Sequence, residues 1–369
     1  MSIPVNTPLF AGNEKKYLNE CIDTGWISSE GPFVERFEKG FSSYIGRNHG
    51  IAVSSGTAAL DIAVKAIGLT EGDEIIVPSF TIISPVFSII KLGLVPVLVD
   101  SDITSWNMDV AAIEALITPK TKAILAVHIY GLPVDMALLE TIAEKHNLII
   151  IEDAAEMHGQ EYRGRKCGTF GKISIFSFYA NKNITTGEGG MVLCDDPELN
   201  ERCRVLRNLS FTTQGPRFVH EEFGWNYRMT NLQAAIGVAQ LENIEAHIIR
   251  KREIGAIYQE SLSFLAEKGY QLPVPEVEYA NNLYWVFGLL APDKDEKNRL
   301  IDHLSKNGIG TRPFFYPMHM QPVFKDYAFA KQRLPVSEQL SSLGFYLPSG
   351  LGLTNADQSV VIDTIKAAF

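Results

Sequence analysis

Residues 174–192 read SIFSFYANKNITTGEGGMV. An apolar run closes at Ser177, a single lysine follows at Lys182, and a turn rich in threonine and glycine leads into a second apolar run. A lysine beside glycines suggests phosphate binding, but the nucleotide P-loop needs G-x-x-x-x-G-K-[ST] at the mouth of a helix. Here the lysine precedes the glycines, and Asn183 stands where that loop carries the Ser or Thr that holds magnesium. Such a lysine is either a surface charge in a turn or a nucleophile, an amine that forms a Schiff base with a carbonyl.

Outward from this stretch, short β-branched runs alternate with helical patterns between about residues 50 and 195. They are GIAVS, EIIVP, PVLVD, KAILAVHIY, LIIIED, SIFSFY and GMVLC. This alternation predicts an α/β fold, a largely parallel sheet covered by helices on both faces. Ligands in such folds bind at the C-terminal ends of the strands. SSGT, PSFT, VHIYG, EDAAEMHG and the lysine segment all fall there.

Beyond the sheet, MTNLQAAIGVAQLENIEAHIIRKREIGAIYQESLSFLAEKG predicts one long helix beginning near Thr230, where Thr230 and Gln233 form a capping box. NNLYWVFGLLAP, IGTRPFFYP and the amphipathic EKNRLIDHLSKNG then predict a smaller α+β unit. We expect a large domain over 1–245, including an N-terminal substrate-loop segment at 1–35, and a small C-terminal domain over 246–369.

The chain has 369 residues, 46% hydrophobic and 21% charged, and a net charge of −10. These values fit a globular protein with a sizeable core. The acidic balance and the lack of a Lys/Arg-rich block argue against a nucleic-acid partner or an anionic membrane surface. Cys21, Cys167, Cys194 and Cys203 lack C-x-x-C spacing and the first residues do not resemble a signal peptide, so a cytoplasmic location is expected. IISPVFSIIKLGLVPVLVD, interrupted by Lys91, Pro85 and Pro96, reads as a buried helix running into a strand, not as a membrane span.

The strand-end clusters supply partners for Lys182. Asp153 ends LIIIED; it is either a cap for the next helix or the carboxylate that keeps a pyridine nitrogen protonated, making that ring an electron sink. Glu156 and His158 follow it closely. A metal site on Glu152, Asp153, Glu156 and His158 lacks H-E-x-x-H or paired-cysteine spacing, and no metal is expected. Ser55, Gly56 and Thr57 stand at a helix start, where free N–H groups favour an anion. Ser177 offers a hydroxyl to the same phosphate.

Taken in order, SSGT, EDAAE, SFxxxKxxTTGEGG and N-Y-R-M-T-N resemble the DegT-type sugar aminotransferases, pyridoxal-phosphate enzymes of fold type I. The resemblance runs from GWISSEGP to TRPFFYPMH. It implies a mainly parallel seven-stranded sheet and pyridoxal 5'-phosphate as cofactor. It implies Lys182 as the Schiff-base lysine and proton shuttle, with Asp153 on the pyridinium and Glu156 near the ring hydroxyl. Gly56, Thr57 and Ser177 would hold the phosphate, and Ile82 occupies the segment where many relatives carry a ring-stacking aromatic. Asn226 matches an asparagine that reaches the neighbouring subunit's phosphate, which implies a homodimer with shared active sites. Trp26, Ser28, His158, Arg228, Arg312 and His319 are the matching candidates for the substrate pocket. The implied donor is L-glutamate and the implied acceptor a nucleotide-linked keto-sugar, GDP-linked 4-keto-6-deoxymannose ahead of UDP- or dTDP-linked sugars. A sugar dehydratase on the same fold would carry histidine in place of Lys182, and a regulator would need a DNA-reading segment that the sequence lacks.

Overall fold

The computed structural model describes residues 2–211, 216 and 218–369. Two helices, α1 (Glu14–Thr24) and α2 (Pro32–Ile45), open the chain. Strand and helix then alternate as the apolar runs predict: β1 (His49–Val53), α3 (Gly56–Ala66), β2 (Glu74–Pro78), α4 (Ser84–Lys91), β3 (Val95–Val99), β4 (Thr121–Val127), α5 (Met136–His146) and β5 (Ile149–Asp153). After a short hairpin of β6 (Glu161–Tyr162) and β7 (Arg165–Lys166), strands β8 (Ile173–Ser177) and β9 (Gly190–Cys194) complete a seven-stranded sheet.

Its order is β1-β9-β8-β5-β4-β2-β3. Strand β9 runs antiparallel to both neighbours and every other adjacent pair is parallel. All strands but β9 therefore end on one edge. Successive residues alternate between two apolar cores, as a pleated strand buried on both faces must. Ile51, Val53, Ile173, Ile175 and Val192 enter one core; Ala52, Phe176 and Met191 enter the other.

Helix α6 (Pro197–Arg207) follows the sheet, and Thr230 caps α7 (Asn231–Leu241) with the expected reciprocal capping box. The single long helix does not form. Asn243 donates its side-chain amide to the Ala239 carbonyl at 3.0 Å, while its backbone N–H turns to Gln240. A side chain thus takes the carbonyl that the next helical N–H would use, and α8 (Ile244–Ser261) begins as a separate helix.

The last third carries the hairpin β10 (Glu276–Val277) and β11 (Ala280–Asn281), then β12 (Phe287–Leu290), α9 (Lys294–Lys306), β13 (Arg312–Pro313), α10 (Pro335–Leu343), β14 (Gly344–Leu347) and α11 (Asn355–Lys366). Strands β12, β14 and β13 form an antiparallel sheet over a core of its own, with Tyr258, Phe287, Leu300, Phe345 and Val361 buried in it. Just before β12, Trp285 leaves that core and joins the one beneath the large sheet. The four cysteines are free and buried. Among the described residues, no helix is long and apolar enough to cross a membrane.

Candidate active site

A cleft of about 370 Å³ opens where the parallel strands end. Its size is typical of a small-molecule site. Each wall segment arrives there because a strand has just run out of partners. Asp153 is the last residue of β5 and Ser177 the last of β8. Ser55, one residue past a bend from β1, caps α3 by accepting the Ala58 N–H at 3.1 Å. The start of α3 thereby faces the cleft with its unpaired N–H groups, a ready anion site.

Gly56 is required there by packing. A Cβ on it would lie 2.8 Å from the Ser177 Cβ, closer than nonbonded carbons approach. The helix start and Ser177 are therefore pressed together, with backbone bare toward the cleft. Thr57 is held by a 2.9 Å hydroxyl–hydroxyl bond to Ser84.

Lys182 and two carboxylates form the charged floor. The Lys182 Nζ lies 3.8 Å from Glu156 Oε1 and 3.9 Å from the centre of the Trp285 ring. Burial pushes the Lys182 amine below its ordinary pKa, and Glu156 and Asp153 partly oppose that. Burial likewise raises Glu156. Its other oxygen accepts the Tyr130 N–H at 2.6 Å. Asp153 is 3% exposed, and desolvation lifts its carboxyl to about 6. Among the described residues, only one of its oxygens is occupied, by the Ala155 N–H at 3.0 Å. The next element after Asp153 is the strand β6, so helix capping does not account for it.

The cleft brings together Gly56, Thr57, Ile82, Asp153, Glu156, Ser177, Lys182 and Arg312. It does not include the other candidates. His158 is fully buried among Phe41, Phe176 and Phe178, with burial depressing its pKa to about 3. The turn that follows β5 carries it into the core. His319 is also buried, its Nδ1 2.8 Å from the Ser79 hydroxyl. Trp26, Ser28 and Arg228 line a second, broader cleft beside α6. Asn226 is exposed on a bridge with Asn208, outside the Lys182 cleft.

The cleft also contains residues that the sequence reading did not single out. His128, in the VHIYG run, directly follows β4. Its Nδ1 accepts the Val134 N–H at 3.0 Å, so its Nε2 carries the proton toward Glu152, 3.0 Å away. Glu152 further accepts the Gly168 and Phe170 N–H groups. His128 and Glu152, which form a buried cluster with Cys167, are thus committed to internal hydrogen bonds. Trp285 and Tyr346 reach the wall from more than a hundred residues downstream of Lys182. Neither carries a local sequence signal for that position.

A family model for the DegT/DnrJ/EryC1/StrS aminotransferases matches residues 9–366. The chain belongs to this family. Among its relatives, a protein named GDP-perosamine synthase from Escherichia coli O157:H7 is 43% identical over 368 residues, covering 99% of this chain and 98% of the relative. One of the same name from Vibrio cholerae is 41% identical over 369 residues, covering 100% and 99%. Of solved structures, DesV from S. venezuelae aligns with a TM-score of 0.89 at 34% identity, covering 96% of this chain and 94% of that one. The sugar aminotransferase Spr1654 of Streptococcus pneumoniae shares the fold, with a TM-score of 0.93 at 24% identity and coverage of 100% and 98%.

This member of the DegT/DnrJ/EryC1/StrS family is a pyridoxal-phosphate-dependent aminotransferase. The residues of the cleft suit that cofactor. Among the described residues, a buried amine without a hydrogen bond, a buried carboxylate with one free oxygen, and a helix start bared by Gly56 match an aldehyde, a pyridinium and a phosphate.

Proposed function

We propose that the enzyme moves the amino group of L-glutamate to C4 of GDP-4-keto-6-deoxy-D-mannose, yielding GDP-perosamine for O-antigen or related polysaccharide synthesis in the cytoplasm. The observation that carries the reading is the full-length similarity, at 41–43% identity, to three proteins named GDP-perosamine synthase. The retained lysine at position 182 supports amino transfer over dehydration.

When bound, pyridoxal phosphate supplies the carbonyl that takes up the amino group and the electron sink for the α-carbanion. The chain supplies the rest. Lys182 holds the cofactor covalently and, when free, its Nζ carries the proton to and from the reacting carbon. Its lowered basicity favours that duty. Asp153 holds a proton on the ring nitrogen, and Glu156 orients the ring hydroxyl. Gly56, Thr57 and Ser177 would hold the phosphate, Ile82 would face the ring, and Arg312 would take an anionic group of substrate.

Two copies are needed in this reading. Asn226, Trp26, Ser28 and Arg228 lie off the Lys182 cleft of their own chain, which supports their serving a partner's site. The separate core around Tyr258 and Phe345 supports a small domain over 246–369, hinged on α8, against a large domain over 1–245.

Purified protein with L-glutamate and GDP-, UDP- or dTDP-linked 4-keto-6-deoxy sugars tests the substrate. Mass spectrometry should find amination of the GDP-linked mannose derivative first. Preference for a UDP or dTDP sugar would overturn the acceptor while leaving the amino transfer.

A further inference from the structure

Lys182 has two states in the reaction proposed above, bonded to cofactor and free, and the second needs a place for its amine. The surroundings of Trp285 are built for that. Its indole face lies 3.9 Å from the Lys182 Nζ, within cation–π range. The ring is held at every accessible handle. Its Nε1–H donates to the Asn181 carbonyl at 3.0 Å, tying it to the residue next to the lysine. Its own carbonyl accepts from the buried Lys251 amine at 2.9 Å. Its ring stacks on Tyr130 at 6.1 Å and 28°.

The backbone carries strain at the same place. Tyr284, which precedes the indole, has φ +54, and Tyr130, which supports both the ring and Glu156, has φ +59. Non-glycine residues in this region cost energy and persist where the surroundings over-determine them. Between them Gly131, with φ +107, lets the 284–285 backbone approach so closely that a Cβ would meet the Trp285 nitrogen at 2.6 Å. Packing of the small sheet alone does not call for this arrangement, since Trp285 sits outside that sheet's core.

We propose that Trp285 is a positioning residue whose indole holds the Lys182 ammonium beside Glu156 whenever that amine is not bonded to cofactor. The inference rests on the assignment of Lys182 made above. Asp153 and Glu156 face the amine from the end of β5 and the turn beyond it; His128, Glu188, Arg312 and Tyr346 share the cleft wall, and His158 lies buried behind. The indole face adds attraction for the charged form at 3.9 Å from the amine.

The test uses the full-length chain freed of cofactor. Pyridoxal phosphate is added across a pH series, and the rate at which visible absorbance grows reports the fraction of neutral lysine amine. In Trp285→Leu the midpoint should fall by roughly 0.4 to 1.5 pH units, the span of a cation–π contact converted at 1.36 kcal/mol per unit. Trp285→Phe, which keeps a ring and the fold, should fall by less, because tryptophan is the stronger cation partner. A midpoint that is unchanged or raised in both variants overturns the proposal, as a merely structural indole would leave it in place. Failure of the parent chain to develop visible absorbance, or development that survives Lys182→Ala, would instead overturn the assignment of Lys182.

Discussion

The Lys182 amine lies 3.8 Å from the Glu156 carboxylate, and neither side chain is more than 10% exposed. At this distance each favours the charged form of the other, while burial favours the neutral form of both. Glu156→Gln keeps an acceptor for the Tyr130 N–H but removes the charge. The pH midpoint for cofactor loading should therefore fall, and a rise would contradict this account of the pair.

Lys182→Ala should lose turnover by about 10²–10⁴-fold from proton transfer alone. The chain should stay folded, because burial opposes the charge that is removed and Glu156 still accepts the Tyr130 N–H. Steady-state assays beside thermal melts check both halves, and full turnover in the variant would exclude Lys182 from the chemistry.

Asp153 makes stability depend on pH in a defined direction. Burial raises its folded-state pKa from 3.8 to about 6. The folded chain therefore takes up a proton before the unfolded one as pH falls. No penalty exists below about pH 4; the penalty grows through pH 4–6 and is complete above, at about 3 kcal/mol. Cofactor-free Asp153→Asn should melt higher than the parent at pH 7 and alike near pH 4. A gap that is constant with pH would show that desolvation is not the cause.

Gly56→Ala places a Cβ 2.8 Å from that of Ser177, so the helix start must shift. Overpacking of this kind costs about 1–3 kcal/mol. Cofactor affinity, measured by titration, should weaken about tenfold or more if the cost falls on the phosphate site. Unchanged affinity would mean that the α3 start does not bind the phosphate.

If Asn226 serves its partner's cleft, Lys182→Ala and Asn226→Ala chains complement each other. Co-refolding equal amounts should recover roughly a quarter of the parental activity, since half the dimers are hybrids with one intact site. Recovery no greater than the two variants separately would rule out the shared site.

Much of this protein could be read along the chain. The seven apolar runs predict the seven strands, because strands buried on both faces need continuous hydrophobic sequence, and the Thr230–Gln233 box marks where α7 begins. Gly56, Thr57, Asp153, Glu156, Ser177 and Lys182 were legible for the same reason: each sits at or soon after the end of a strand, where the parallel sheet must deliver it to one edge.

Other features depend on contacts that no local pattern encodes. The break at Asn243 follows from one side-chain hydrogen bond. The turn after β5 sends Glu156 to the cleft but His158, two residues on, into an aromatic core. Trp285 reaches Lys182 only because Gly131 admits its backbone and Lys251 and Asn181 hold it from opposite ends. The sequence by itself determined the sheet and the residues at its edge, since hydrophobic period and strand ends are local properties. The company that Lys182 keeps was decided by tertiary packing, which joins residues a hundred positions apart through shape and hydrogen bonds.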